Sequence, residues 1–142
     1  MTRKTREAAV FVHRGDQFLV CRRASDGIWN VVAGQIEDGE SFHDGASREL
    51  MEEAQLAAPL VDLAMHHVYE VEPAFRHLYG PGDYNVAIEC FAAEAPAGWE
   101  PRLNHEHDTY RWCSAAEAVV LLHWPEMKEG VREAARRLGL PH

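Results

Sequence analysis

Arg48-Glu49-Leu50-Met51-Glu52-Glu53 places three carboxylates and one guanidinium in a short run. On a helix, Glu49 and Glu53 stand four apart and share a face, while Arg48 and Glu52 form a second, adjacent pair. Two carboxylates side by side repel, at a cost to the helix of about 0.2–0.5 kcal/mol. A bound divalent cation reverses the sign of that interaction. Oxygen donors of this kind suit Mg²⁺ or Mn²⁺. Taken alone, the helix also reads as a solvated acidic face with one salt bridge, so its surroundings decide.

Those surroundings are specific. Gly34 is followed after five residues by Glu40, and Glu40 after seven by Arg48-Glu49-Leu50; one residue on come Glu52-Glu53, and one further Gln55 and Leu56. At ordinary residue frequencies such a pattern arises by chance on the order of once in a million chains. The string resembles the Nudix box at every specified position but one. Gln55 stands where the family has glycine, at a helix exit that favours the left-handed conformation glycine tolerates best. The resemblance implies an α/β class fold, a Nudix-type α/β/α sandwich with a mixed β-sheet flanked by helices. It also implies Mg²⁺ (or Mn²⁺) as cofactor, held by Glu49, Glu53 and the carbonyl of Ala33, with Glu52 as a further ligand or a base. Glu40 and Arg48 would pair to hold the loop that begins at Gly34 against the helix, fixing ligand orientation. The implied activity is hydrolysis of a diphosphate bond in a nucleotide-like small molecule.

Other segments must position these groups. Residues 8–13 and 17–22 read as strands joined by a Gly15-Asp16 turn. Residues 24–27 are a loop, 29–33 a short apolar strand, and 34–39 an acidic loop punctuated by glycine. Ser41, with Asp44 three residues on, resembles a capping box that opens the carboxylate helix. Phe42, Ala46, Leu50 and Ala54 recur every four residues and turn to the core, and the helix should end near Gln55. Residues 59–71 are extended, 72–84 a long functional loop, and 85–92 a strand. Another loop spans 95–104, and 110–113 is a strand. Ser114 with Glu117 is a second capping box. Residues 125–138 form a terminal helix, with Pro near its start and Gly139 past its end. The whole chain, 1–142, reads as one domain.

Further site residues lie outside the helix. The family often places an acid on a distant loop, and 104–108 before Tyr110-Arg-Trp112 is that place here, with Glu106 as the extra ligand or base. Arg22 and Arg23 end an apolar strand on opposite faces, so one is expected to reach substrate phosphate. Arg76 and Tyr79 in the long loop are candidate contacts to base or phosphate. Tyr79-Gly-Pro-Gly82 and the run from Glu106 to Ala118 resemble the dihydroneopterin triphosphate diphosphatase branch, which also hydrolyses dATP. A triphosphate split into monophosphate and pyrophosphate follows from that likeness. ADP-ribose, a dinucleoside polyphosphate and an oxidised purine triphosphate are alternatives, as is a non-catalytic Nudix-fold sensing module. A Nudix-fold prenyl diphosphate isomerase would call for an activated cysteine.

Bulk properties agree with a small-molecule enzyme. The 142 residues are 46% hydrophobic and 26% charged, with a net charge of −9. That charge disfavours nucleic acid polymers as partners and leaves a phosphorylated substrate in need of local cations. No apolar run is long enough to span a membrane, and the basic start lacks a signal-peptide core, so a cytoplasmic location is expected. Cys21, Cys90 and Cys113 read as buried hydrophobes. The His66-His67 and His105-Glu-His107 groups lack the spacing of a closed zinc site. The family resemblance also allows a homodimer.

Overall fold

The fold is assembled around β1 (Arg6–Arg14), which is buried on both faces. It is seen in a computed structural model that describes residues 2–142. Ala8, Val10 and Val12 point to one face and Ala9 and Phe11 to the other, as strand alternation requires. The Gly15-Asp16 turn leads into β2 (Gln17–Arg23), which meets β1 antiparallel only at the hairpin, His13 opposite Phe18. The first half of β1 pairs instead with β4 (Val32–Gln35), Ala8 opposite Gly34 and Ala9 opposite Ala33. β2 diverges to pair with β3 (Trp29–Asn30) and β7 (His107–Cys113). Along its other edge β1 runs parallel to β6 (Asn85–Glu94), and β5 (Val61–Glu70) adds antiparallel beyond it. The sheet is therefore mixed and seven-stranded. Two of its branches leave the same edge of β1, and residues of both line the cleft described below.

Helix α1 (Phe42–Ala54) covers the Ala8–Val10–Val12 face through Ala46, Leu50 and Ala54. Helices α2 (Ala115–Leu121) and α3 (Pro125–Leu138) cover the other face through Ala118, Met127, Val131 and Ala135. The expected α/β/α sandwich is what forms. Gly130 allows α3 to lie directly on β1, because a β-carbon there would overlap the Phe11 ring. Among the described residues, no helix is long and apolar enough to cross a membrane.

Several local expectations are corrected. The single strand over 29–33 is two, since the Asn30 side chain accepts the Val31 N–H at 2.9 Å and the halves pair with different strands. The strand expected at 110–113 begins at His107, where pairing reaches past a bulge to Arg23. The long loop after β5 contains a 3-10 helix, Pro73–Leu78. Ser41 caps α1 by accepting the Asp44 N–H at 3.0 Å, but the reciprocal bond of a full capping box forms only at Ser114 and Glu117. Asp44 is one methylene shorter than Glu117.

Candidate functional site

Glu49 and Glu53 lie one turn apart on α1, on the side that faces the sheet rather than water. Glu106 approaches from the loop before β7. That loop is fixed by Asn104, whose Oδ1 accepts the Glu106 N–H at 2.9 Å, and by the Glu106 carbonyl, which accepts the Ala24 N–H at 2.9 Å. Each of the three carboxylates offers an oxygen within 4.8 Å of the other two. Glu53 is 3% exposed, and burial with Glu49 beside it pushes its carboxyl well above the usual range. Burial raises Glu49 as well. Three negative groups so close, two of them out of water, are an unfavourable arrangement without a counter-charge. The backbone also makes room for them. Gly34 on β4 lies against the Glu49 carboxylate, and any β-carbon there would overlap it. An all-oxygen donor set in such a cradle fits a hard divalent cation.

Arg48 organises the surrounding loop. Its Nε and Nη2 donate to the two oxygens of Glu40, each at 3.0 Å, and Nη2 also reaches the Gln35 carbonyl at 2.9 Å. Nη1 donates to Glu49 at 2.9 Å and to Glu52 at 3.2 Å. This guanidinium therefore ties the loop after β4 to α1 and orients Glu49. Glu52 stands outside the triad, with its side chain 52% exposed and its carboxylate held by Arg48.

The triad borders a cleft of about 560 Å³. Ala33, Gly34, Glu53 and Glu106 form part of its wall, as do Arg23 and Tyr79. Of the two strand-end arginines, Arg23 faces the cleft, where it pairs with Asp26 at 2.7 Å and lies over the Trp124 ring at 5.2 Å. Arg22 is directed away, to Asp108 at 2.6 Å. Arg76 is also placed off the cleft wall, where it pairs with Glu70 at 2.5 Å and donates to the Val71 carbonyl at 3.0 Å. Sequence reasoning missed Arg3, Glu7, Tyr69, Phe75, His107 and Trp124, all of which line the cleft. The Nδ1 of His107 lies 3.8 Å from Glu53 Oε1 and has no hydrogen-bond partner among the described residues. Glu7 carried one legible signal, a carboxylate heading a run that is otherwise apolar. Burial pushes the Cys21 and Cys90 thiols up to about 12 and raises Cys113, so no cysteine is activated.

A three-layer sandwich whose buried carboxylates flank a nucleotide-sized cleft is an arrangement suited to metal-assisted hydrolysis. The chain belongs to the Nudix family: the NUDIX domain model matches residues 3–134. Relatives of this chain are named as diphosphatases and pyrophosphohydrolases, and the chain is a Nudix hydrolase. Nudix enzymes generally need a divalent metal, and the acidic triad is where this chain offers ligands. The dihydroneopterin triphosphate diphosphatase of Escherichia coli is 29% identical over 108 residues, covering 72% of this chain and 71% of that protein. A solved structure of the E. coli dihydroneopterin triphosphate pyrophosphohydrolase superposes with a TM-score of 0.90 at 23% identity, covering 96% of this chain and 98% of that one. The asymmetrical bis(5'-nucleosyl)-tetraphosphatase of Mus musculus is 31% identical over 127 residues, 82% of this chain and 77% of that protein. An octanoyltransferase of Myxococcus xanthus is 34% identical over 135 residues, 92% of this chain, but the chain spans only 36% of that protein's length.

Proposed function

We propose that the protein hydrolyses a nucleoside or pterin triphosphate to its monophosphate and pyrophosphate, with one water consumed per P–O–P bond broken. The observation that carries this reading is the convergence of Glu49, Glu53 and Glu106 at the edge of a cleft sized for one nucleotide, with Glu53 and Glu106 in its wall. These three side chains, with the Ala33 carbonyl, would hold Mg²⁺ or Mn²⁺. When bound, the cation neutralises phosphate charge and lowers the pKa of water.

The chain's own groups supply the rest. Arg23 contacts the phosphates from the cleft wall, as their counter-charge in a protein of net charge −9. Glu53 or Glu106 takes the proton from the attacking water, and Glu52 is a further candidate ligand or base. Arg48 and Glu40 keep the loop that begins at Gly34 against α1, so that Glu49 stays aimed. Tyr79 packs against the ring. The absence of an activated cysteine argues against isomerase chemistry, and the complete carboxylate set argues against a non-catalytic sensing module. A cytoplasmic location suits such a substrate.

The mouse tetraphosphatase favours a second reading, cleavage of a dinucleoside polyphosphate. The test, with Mg²⁺ and with EDTA, reads pyrophosphate released from the triphosphates and, from ADP-ribose and the diadenosine compound, phosphate that a coupling phosphatase frees from the newly exposed phosphate ends. Substrates are dihydroneopterin triphosphate, the deoxynucleoside triphosphates, oxidised dGTP, ADP-ribose and a diadenosine polyphosphate. Metal-dependent pyrophosphate release from a triphosphate supports the first reading. Release confined to the diadenosine compound supports the second. No turnover of any substrate by folded protein, with Mn²⁺ also tried, overturns both.

A further inference from the structure

Glu7 is a carboxylate only 8% exposed in the wall of the cleft, yet outside the acidic triad. It lies on β1 two residues before Ala9, which sits opposite Ala33, so the two share a face about 7 Å apart along the strand. The Ala33 N–H in turn points to Glu53 Oε1 at 3.5 Å. Glu7 therefore stands one strand repeat from the hydrolytic end, within the reach of a single substrate. Carboxylates are seldom buried for stability, because removing the charge from water costs more than its partners return.

Two neighbours aim this carboxylate. The Tyr69 hydroxyl donates to Oε1 at 2.6 Å, and Arg3 Nη2 donates to Oε2 at 3.1 Å. Burial, together with Glu7, holds the Tyr69 phenol above its ordinary value, so it keeps the proton it donates. The Arg3 backbone N–H is bound to the Leu78 carbonyl at 2.8 Å, which anchors the segment carrying Phe75 and Tyr79. Each Glu7 oxygen has accepted one hydrogen bond and has capacity for another, so the pair presents two acceptors side by side.

Resting on the hydrolase reading, we propose that Glu7 selects the substrate's ring by accepting from a 2-amino-4-oxopyrimidine edge, the adjacent ring N–H and amino group shared by guanine and pterin. That edge offers two parallel donors to two parallel acceptors. Adenine and cytosine place a ring-nitrogen lone pair beside the amino group, and uracil and thymine flank their ring N–H with carbonyl oxygens. Each of those sets a lone pair of the ring against a lone pair of a buried carboxylate oxygen, which repels and forfeits a hydrogen bond. Phe75, Tyr79 and Trp124 supply flat apolar surface on the same cleft for either ring.

The test compares kcat/KM for dGTP, dihydroneopterin triphosphate, dATP, dCTP and dTTP in wild type, Glu7→Gln and Tyr69→Phe. Wild type should favour dGTP or the pterin over the other three by at least about tenfold, and the two favoured substrates tell guanine from pterin. Glu7→Gln should shrink that preference by about 10- to 100-fold, through KM rather than kcat. Tyr69→Phe, which removes the hydroxyl that orients Glu7, should shrink it in the same sense but less. If Glu7→Gln does not fold, the tyrosine variant decides by the same criterion. An absence of preference in wild type, or a loss spread equally over all five substrates, overturns the proposal. If wild type hydrolyses none of them, the triphosphate reading fails separately, and calorimetric titration of metal-free protein with GMP, neopterin and AMP still judges the ring claim. Tighter GMP or neopterin binding that is lost in Glu7→Gln upholds it, and equal binding of all three overturns it.

Discussion

Arg48 holds Glu40 in a two-point grip, with Nε on one carboxylate oxygen and Nη2 on the other, both at 3.0 Å. The Arg48 hydrogen bonds, with the Glu37 N–H, lower the Glu40 carboxyl to about 2. A lysine offers a point charge and cannot hold two oxygens while also reaching Gln35 and Glu49. Arg48→Lys should therefore cost about 10- to 100-fold in kcat/KM although the charge is kept. Steady-state kinetics over a Mg²⁺ titration checks this. Full activity at saturating Mg²⁺ would mean that the lysine weakens metal affinity alone.

The buried carboxyl pair makes stability depend on metal and pH together. Glu53 is raised by burial and by Glu49, and Glu49 by burial, both from an ordinary value of 4.5. Between that value and the raised one, the folded protein binds more protons than the unfolded chain, so stability falls as pH rises through the window. Glu40 has the opposite sign. Its contribution is complete above 4.5 and is lost as pH falls toward about 2. A divalent cation held by the pair would replace its proton and relieve the alkaline loss. Melting temperatures with EDTA and with Mg²⁺ should therefore diverge as pH rises above the ordinary carboxyl value of 4.5. A gap that does not change with pH would count against the pair as the binding site.

Gln55 ends α1 with φ 57° and ψ 42°, the left-handed conformation. Its N–H caps the last turn on Leu50 and Met51. A residue with a β-carbon costs about 1 kcal/mol here, so Gln55→Gly should stabilise the protein by about that amount. For a chain of this length this is a rise of about 3 °C in Tm, readable by differential scanning calorimetry. A lower Tm would show that the glutamine side chain makes a compensating contact.

The parts of this protein legible from its sequence are those set by local spacing. The pairing of Glu49 with Glu53 needs only a helix, and the left-handed exit at Gln55 needs only that helix to end. Arg48 reaches Glu40 because the two belong to one short motif. The cleft was not legible, because its wall gathers Arg3, Glu7, Tyr69 and Trp124 from segments that are neighbours only once β5 pairs with β6 and α3 lies on the sheet. Glu7 was hidden for a further reason: β1 is buried on both faces, so no alternation marks which way its carboxylate points. The choice between Arg22 and Arg23 turned on the register shift between them, which no local pattern records.

Whether the acidic triad performs the hydrolysis is tested most directly by turnover of Glu53→Gln at saturating Mg²⁺, with folding verified by circular dichroism. The amide keeps the shape of the side chain, removes a buried charge and cannot accept a proton. The account predicts at least about a 100-fold loss of kcat/KM, intact secondary structure and a higher melting temperature than wild type in EDTA at alkaline pH. Turnover equal to wild type in a folded variant would contradict it.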